Sequence, residues 1–264
     1  MKVSLMKVDR SLAVLTRADS KFGQAFLQQL AAKGVKPALI CVEYTPFARR
    51  WKMAKFLAKK IGWLDAARYN LKFWQVPILR GITGGKAYPY PSFDGQAEKI
   101  VRCQNINDAA VASALSDPSI EKIVLAQSGI VRKSILNLGK WIINAHPGKI
   151  PRFRGVDVVR WALLQRQPIT VTLHLVDAGI DTGYILAEQA LVILPSDTPE
   201  KVVERSVVRS LDLLIQGAIT SPTDFQPTPP VGEGQQYYLM PFRQAQQLEQ
   251  EWPEILQFYL TQTV

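Results

Sequence analysis

Cysteine is nearly missing from this chain: Cys41 and Cys103 are its two residues of that kind. Both stand inside apolar, strand-like runs, so a disulfide framework does not fit and a four-cysteine zinc site cannot be assembled. Two buried, reduced thiols are the expectation. Histidine is as scarce, with only His146 and His174, and no G-x-S-x-G elbow advertises a serine nucleophile. A long apolar run at the amino end is also lacking. Met1 to Arg10 carries Lys2, Lys7, Asp9 and Arg10 and reads as neither signal peptide nor membrane anchor, so a cytoplasmic location with no transmembrane segment is expected. Acid is in short supply as well: 22 carboxylates face 32 Lys and Arg, a net charge of +10.

What is present is ordinary globular material. At 264 residues and 47% hydrophobic content, the chain can bury one sizeable core, with room for a small appendage. Its positive charge suits nucleic acid, and it equally suits polyanionic small molecules. The excess is concentrated between Phe47 and Trp74, where Arg49, Arg50, Lys52, Lys55, Lys59, Lys60, Arg68 and Lys72 meet the single carboxylate of Asp65. Phe47, Trp51, Ala54, Ala58 and Ile61 fall along one side of a helix there, with Trp51, Trp63 and Trp74 interleaved among the cations. Such a stretch, residues 47–74, reads as a face for RNA (a tRNA) or a membrane surface, against the plain reading of a solvated helix.

Strand and helix signals alternate along the chain. Ser11 to Thr16 is an apolar run; Phe22, Phe26, Leu27, Leu30 and Ala31 then recur at helical spacing up to Gly34, and Val35 to Tyr44 forms a second apolar strand. Gly81 to Gln96, rich in Gly, Pro and Tyr, reads as a loop. A strand at Ile100 to Cys103, a helix through Leu115 and strands at Lys122 to Gln127 and Trp141 to Ala145 follow. A helix spans Val156 to Gln165 and a strand Ile169 to Val176. Thr198, Pro199 and Glu200 cap a helix that runs to Ala218. The stretch from Thr220 to Gly234 is a linker by composition, and Gln235 to Val264 is too short for its own core, so a strand and a helix packed on the main body are expected. The fold expected is α/β, an open, mostly parallel sheet with helices on both faces and a short C-terminal appendage, divided into residues 1–220 and 221–264.

In such sheets ligands bind beyond the carboxyl ends of strands. Asn144 and His146 stand at such an end, opening the run NAHPGKIPRFRG, and the strand TVTLHLV leads into DAGIDTG at Asp177 to Gly183. Singly, each residue has a plain reading: Asn144 as a turn residue, His146 as a loop histidine, Asp181 as a turn cap, His174 as a structural strand residue. Jointly the two motifs resemble the formyltransferase family, best from Lys122 to about Ala218. The resemblance implies a Rossmann-like sheet, 10-formyltetrahydrofolate as formyl donor, and Asn144, His146 and Asp181 as catalytic residues. An amide donor from Asn144 and a protonated His146 would stabilise the oxyanion of acyl transfer, with Asp181 holding His146 or relaying a proton. The same resemblance suggests Gly129, Ile130, Ile135, Asp177, Gly179 and Ile180 against the folate, and Arg152 or Arg154 toward an anionic part of the acceptor.

The departures from the family pattern direct the choice of acceptor. The loop Arg17 to Gly23 has no Gly-rich phosphate cradle, which disfavours a phosphorylated glycinamide, and the short tail disfavours initiator tRNA. Gln167 and Pro168 replace a glycine expected before the histidine-bearing strand. The leading expectation is therefore formyl transfer to a small-molecule amine, an amino sugar favoured. Formylation of aminoacyl-tRNA, hydrolysis of the formyl donor, and a degenerate RNA- or anion-binding protein are the rival readings.

Overall fold

The computed structural model describes residues 7–44, 47–67 and 92–262; of the expectations above, those on residues 1–6, on 81–91 and on Arg68, Lys72 and Trp74 lie outside it, as do those on the side chains of Phe47, Arg49, Arg50 and Trp51. The apolar runs become strands and the periodic segments helices. β1 (Lys7–Arg17), α1 (Lys21–Ala32) and β2 (Val35–Glu43) form a parallel βαβ opening. The basic helix α2 (Phe47–Ile61) follows, then β3 (Lys99–Cys103), α3 (Ala109–Leu115), β4 (Lys122–Ala126), the short α4 (Lys133–Leu136) and β5 (Trp141–His146). Next come β6 (Phe153–Gly155), α5 (Val158–Leu164), β7 (Thr170–Leu175), β8 (Ile185–Ala190) and α6 (Pro199–Ile219).

Seven strands make one sheet in the order β3-β2-β1-β4-β5-β7-β8. The first five run parallel, whereas β7 pairs antiparallel with both β5 and β8. Leu12 to Thr16 of β1 are fully buried because helices cover both faces of the sheet. The pleat sends Leu12 and Val14 toward α1 and α6, where Phe26, Leu30, Leu211, Leu214 and Ile215 meet them. Ala13 and Leu15 point the other way, into a cluster with Val111, Leu115 and Ile135. Cys41 and Cys103 belong to that second cluster, and burial pushes the Cys41 thiol up to about 12. The Cys41 group is therefore a protonated thiol at neutral pH.

The C-terminal segment supplies β9 (Gln235–Tyr237) and two helices, α7 (Phe242–Gln250) and α8 (Trp252–Thr261), where one helix was expected. It shares a core with the rest of the chain. Tyr237, Met240, Leu248, Ile255 and Tyr259 pack against Phe153 and the buried side of α5, each large side chain contributing roughly 1.5–3 kcal/mol. β9 pairs in parallel with β6, and Trp161 Nε1 donates to the Tyr238 carbonyl at 2.9 Å.

Both ends of α6 are satisfied, at the start by Thr198, whose side chain accepts from Lys201 N at 3.3 Å, and at the finish by an unusual donor. Lys122, buried at the start of β4, donates from Nζ to the carbonyls of Gly217 (3.0 Å), Ala218 (2.8 Å) and Thr220. A cation at the negative end of a helix is favourable, and three carbonyls take up its three hydrogens. Lys122→Met keeps the stem and removes the donors. A loss of about 3 kcal/mol is expected, measured by urea unfolding; a change under about 0.5 kcal/mol contradicts this role.

Candidate active site

Along β5 the apolar Ile143 and Ala145 enter the core with α6, so Asn144 and His146 project from the opposite face. Along β7, Val171 and Leu173 do the same, leaving Thr172 and His174 on the face that carries Asn144. The antiparallel register sets Asn144 directly opposite His174. His174 thus joins the two residues that the motifs single out, and its separation of 30 residues from Asn144 hides this in the sequence.

The chain after β5 folds back over His146. Gly148 permits the return, since a Cβ there would stand 2.7 Å from both His146 Nε2 and the Phe153 carbonyl oxygen. His146 Nε2 donates to that carbonyl at 2.8 Å. Beyond β7, the turn places Asp181 in the left-handed region, φ 51°, a conformation that aspartate tolerates better than most residues. Its carboxylate then reaches three groups. Oδ2 accepts from Gly155 N at 2.9 Å and lies 3.4 Å from His146 Nδ1, while Oδ1 lies 3.5 Å from His174 Nε2.

Hydrogen-bond direction follows from the partners. A carbonyl only accepts, so His174 Nδ1, 2.8 Å from Leu175 O, carries a hydrogen. Its Nε2 is left to accept from Asn144 Nδ2 at 3.3 Å. A proton arriving at Nε2 finds Asp181 beside it. Burial pushes the Asp181 carboxyl up, but the neighbouring His174 and His146 rings and the Gly155 N–H outweigh it, and the group is held below the ordinary carboxylate range. Asp181 is therefore ionised at neutral pH.

His146 behaves differently from the expectation of a protonated residue at a reacting oxygen. Burial pulls its affinity for a proton down, and Asp181 and the Phe153 carbonyl only partly offset that. The neutral ring is favoured, with its nitrogens turned toward Phe153 and Asp181.

A cavity of about 440 Å³ opens over the cluster, within the range typical of small-molecule sites. Asn144, His174 and Asp181 form part of its wall, and His146 stands behind them. The loop after β4 contributes Gly129 and Ile130; the loop before Asp181 contributes Asp177, Gly179 and Ile180. Ile135 is a correction. Helix α4 turns it into the core, where it is fully buried with Val111 and Leu115 and has no share in the cavity wall. Arg154 serves as a brace: it donates from Nη1 to Ile180 O at 3.2 Å and from Nη2 to Gly234 O at 3.4 Å, tying the Asp181 turn to the tail. Arg152 has an exposed side chain outside the lining, and its carbonyl accepts from Gln235 N at 3.2 Å. Phe56 of α2 and Gln236, Tyr237 and Tyr238 of the tail complete the wall, without any local sequence signal to mark them.

The sequence profile described as formyl transferase matches residues 10–216. A methionyl-tRNA formyltransferase from Anaeromyxobacter sp. (strain K) is 33% identical over 130 residues, which cover 46% of this chain and 42% of that protein. The match thus spans less than half of that relative's length. A sugar N-formyltransferase from a Shewanella species superposes with a TM-score of 0.56 at 19% identity, covering 90% of this chain and 86% of that one. An N-formyltransferase from Helicobacter canadensis, in complex with folinic acid and dTDP-3-aminofucose, superposes with a TM-score of 0.53 at 14% identity, covering 86% and 70%. These two likenesses are likenesses of fold.

The buried imidazole carries a pH signature. His146 binds its proton less tightly in the folded chain than the ordinary value of 6.5, so protonation favours unfolding, and the stability it contributes above that pH is lost as pH falls below it. Between pH 7.5 and 5.5 the wild type should lose more unfolding free energy than His146→Asn, as measured by urea titration. Parallel pH dependences for the two proteins contradict the assignment.

Proposed function

The chain belongs to the formyl transferase family, and we propose that it transfers a formyl group from 10-formyltetrahydrofolate to an amine on a small molecule, with an amino sugar the favoured acceptor. The observation that carries this reading is the cluster of Asn144, His174 and Asp181 on one cavity wall, with His146 behind Asp181. The cavity suits a flat, polar-edged ring. Leu125, Ile130, Val131, Val176 and Ile180 give it apolar walls, while the backbone of residues 127–129 and of the Asp177 turn supplies donors and acceptors. Gly129, Ile130, Asp177, Gly179 and Ile180 would hold the folate. When bound, it supplies the formyl carbon on a nitrogen that can leave.

The protein's part is to stabilise charge and move protons. Asn144 uses one amide hydrogen on His174 Nε2 and has a second to give to the formyl oxygen as negative charge develops there. Asp181 and His174 Nε2, 3.5 Å apart, take the proton that the amine loses as the new C–N bond forms. The same pair returns a proton to the departing nitrogen, which balances the exchange. The Gly155 N–H holds the Asp181 carboxylate in place, and His146 Nδ1 lies beside it at 3.4 Å. Arg152 and Arg154 remain candidates for the acceptor's anionic part only from the cavity rim.

The choice of acceptor rests on the lining. Its described charged side chains are the carboxylates Asp177 and Asp181, which favour an amine on a polyhydroxylated ring over a phosphate in the interior. The complex of the Helicobacter protein with folinic acid and an amino sugar nucleotide agrees with this pairing. Aminoacyl-tRNA is the second reading, favoured by the likeness to the Anaeromyxobacter methionyl-tRNA formyltransferase.

Purified protein incubated with 10-formyltetrahydrofolate and a panel of nucleotide-linked amino sugars, with aminoacylated tRNA in parallel, tests the proposal by mass spectrometry of the formylated product. Asp181→Asn should lower kcat by about 10²- to 10⁴-fold, and Asn144→Ala by about 10²- to 10³-fold, with folate-analogue binding retained in both. Unchanged turnover in Asp181→Asn, or no turnover by the wild type with any amine, overturns the assignment.

A further inference from the structure

The formyl-transfer reading makes no use of the most strongly charged element of the chain. Helix α2 contains six cations and no acidic residue, and across residues 47–67 the lone carboxylate is Asp65. Lys52, Lys55 and Lys59 recur at spacings of three and four, and Lys60 follows one residue on, which puts all four within an arc of less than half the helix, and all four are exposed. Phe56 stands in the middle of that arc and is 57% exposed. The opposite side carries Ala54, Leu57, Ala58 and Ile61, of which Ala58 is buried and the others half-buried. Gly62, at φ 89°, ends the helix. A helical turn at 63–67 then holds Ala66 inside and projects Trp63 and Leu64, 70% and 83% exposed.

A face that was merely solvated would mix the signs of its charges and would not end on a tryptophan and a leucine side by side. Cations along a helix with large apolar side chains at its tip match an anionic interface with an apolar interior. We propose that α2 and the turn after it dock this protein on an anionic lipid bilayer, with Trp63 and Leu64 entering the headgroup boundary and the lysines facing the lipid phosphates. RNA would account for the lysines and for Trp63, since a base can stack on an indole. It has no use for Leu64. Attachment would be peripheral, because among the described residues no helix is long and apolar enough to cross a membrane.

The face adjoins the candidate active site. Phe56 lines the cavity, its ring 6.5 Å from that of Tyr238, and Lys60 Nζ lies 4.7 Å over the Tyr238 ring and 5.8 Å over that of Phe56. Docking therefore brings the cavity mouth close to the bilayer surface. The inference stands apart from the chemistry of the cavity, since vesicle binding is read without turnover.

The test is co-sedimentation of the full chain with vesicles of phosphatidylcholine alone and of phosphatidylcholine with about one third phosphatidylglycerol, at low and high salt, in competition with tRNA. Binding is expected only with the anionic vesicles and weaker at high salt. The pair Trp63→Ser and Leu64→Ser should lower the partition coefficient about tenfold, and Lys52→Glu with Lys59→Glu by at least as much. All four positions are exposed, and an unchanged melting temperature confirms that each variant is folded. No binding of the folded wild type to anionic vesicles overturns the proposal. So does binding that survives the Trp63 and Leu64 substitutions, or binding that tRNA displaces while its own affinity is indifferent to them.

Discussion

The carboxylate of Asp181 is the knot at which separate stretches of chain are tied. It accepts from the backbone of Gly155, touches one imidazole on β5 and reaches another on β7. Each of those groups is placed by an element with its own reason to fold, and together they favour a half-buried, ionised carboxylate. The strained backbone at Asp181 belongs to the same arrangement: the side chain can answer partners on two strands only when the turn is wound this way. Remove the charge, and the Gly155 N–H loses its acceptor while a proton on either imidazole loses its neighbouring counter-charge.

Behind that contact stands the switch in sheet direction. The first five strands are parallel and follow from repeated strand-helix units, but β7 runs against β5. The reversal brings the far end of one strand beside the near end of another, and with it His174 beside Asn144. A shift of one residue would turn His174 into the core and leave Asn144 opposite a leucine. Val171, Leu173, Ile143 and Ala145 prevent that shift, since all four must face α6. Apolar packing on one face of the sheet thus holds polar geometry on the other.

Much of this was legible beforehand. The βαβ opening, the long α6 with its Thr198 cap and the strand ends bearing Asn144 were plain from apolar runs and turn chemistry, which are local properties. Alternation in TVTLHLV even places His174 and Thr172 on one face, yet it says nothing about which strand lies alongside, and without a register His174 reads as structural. β8, ILAEQA, is a half-buried edge strand with little alternation to give it away. The family resemblance sets Ile135 against the folate, whereas a four-residue helix turns it inward. The contributions of Phe56 and Tyr238 join residues far apart in the chain, and no pattern within either segment could have paired them.

Tail and body share one core, and Gln236, Tyr237 and Tyr238 finish the cavity wall. The residues proposed for chemistry, from Asn144 to Asp181, leave the ribosome well before that wall exists. Without residues 236–238 those groups would all be present, but the cavity around them would lack one side. The tail is therefore what completes that wall, and a chain cut short of Gln236 would carry the groups proposed for chemistry without the enclosure.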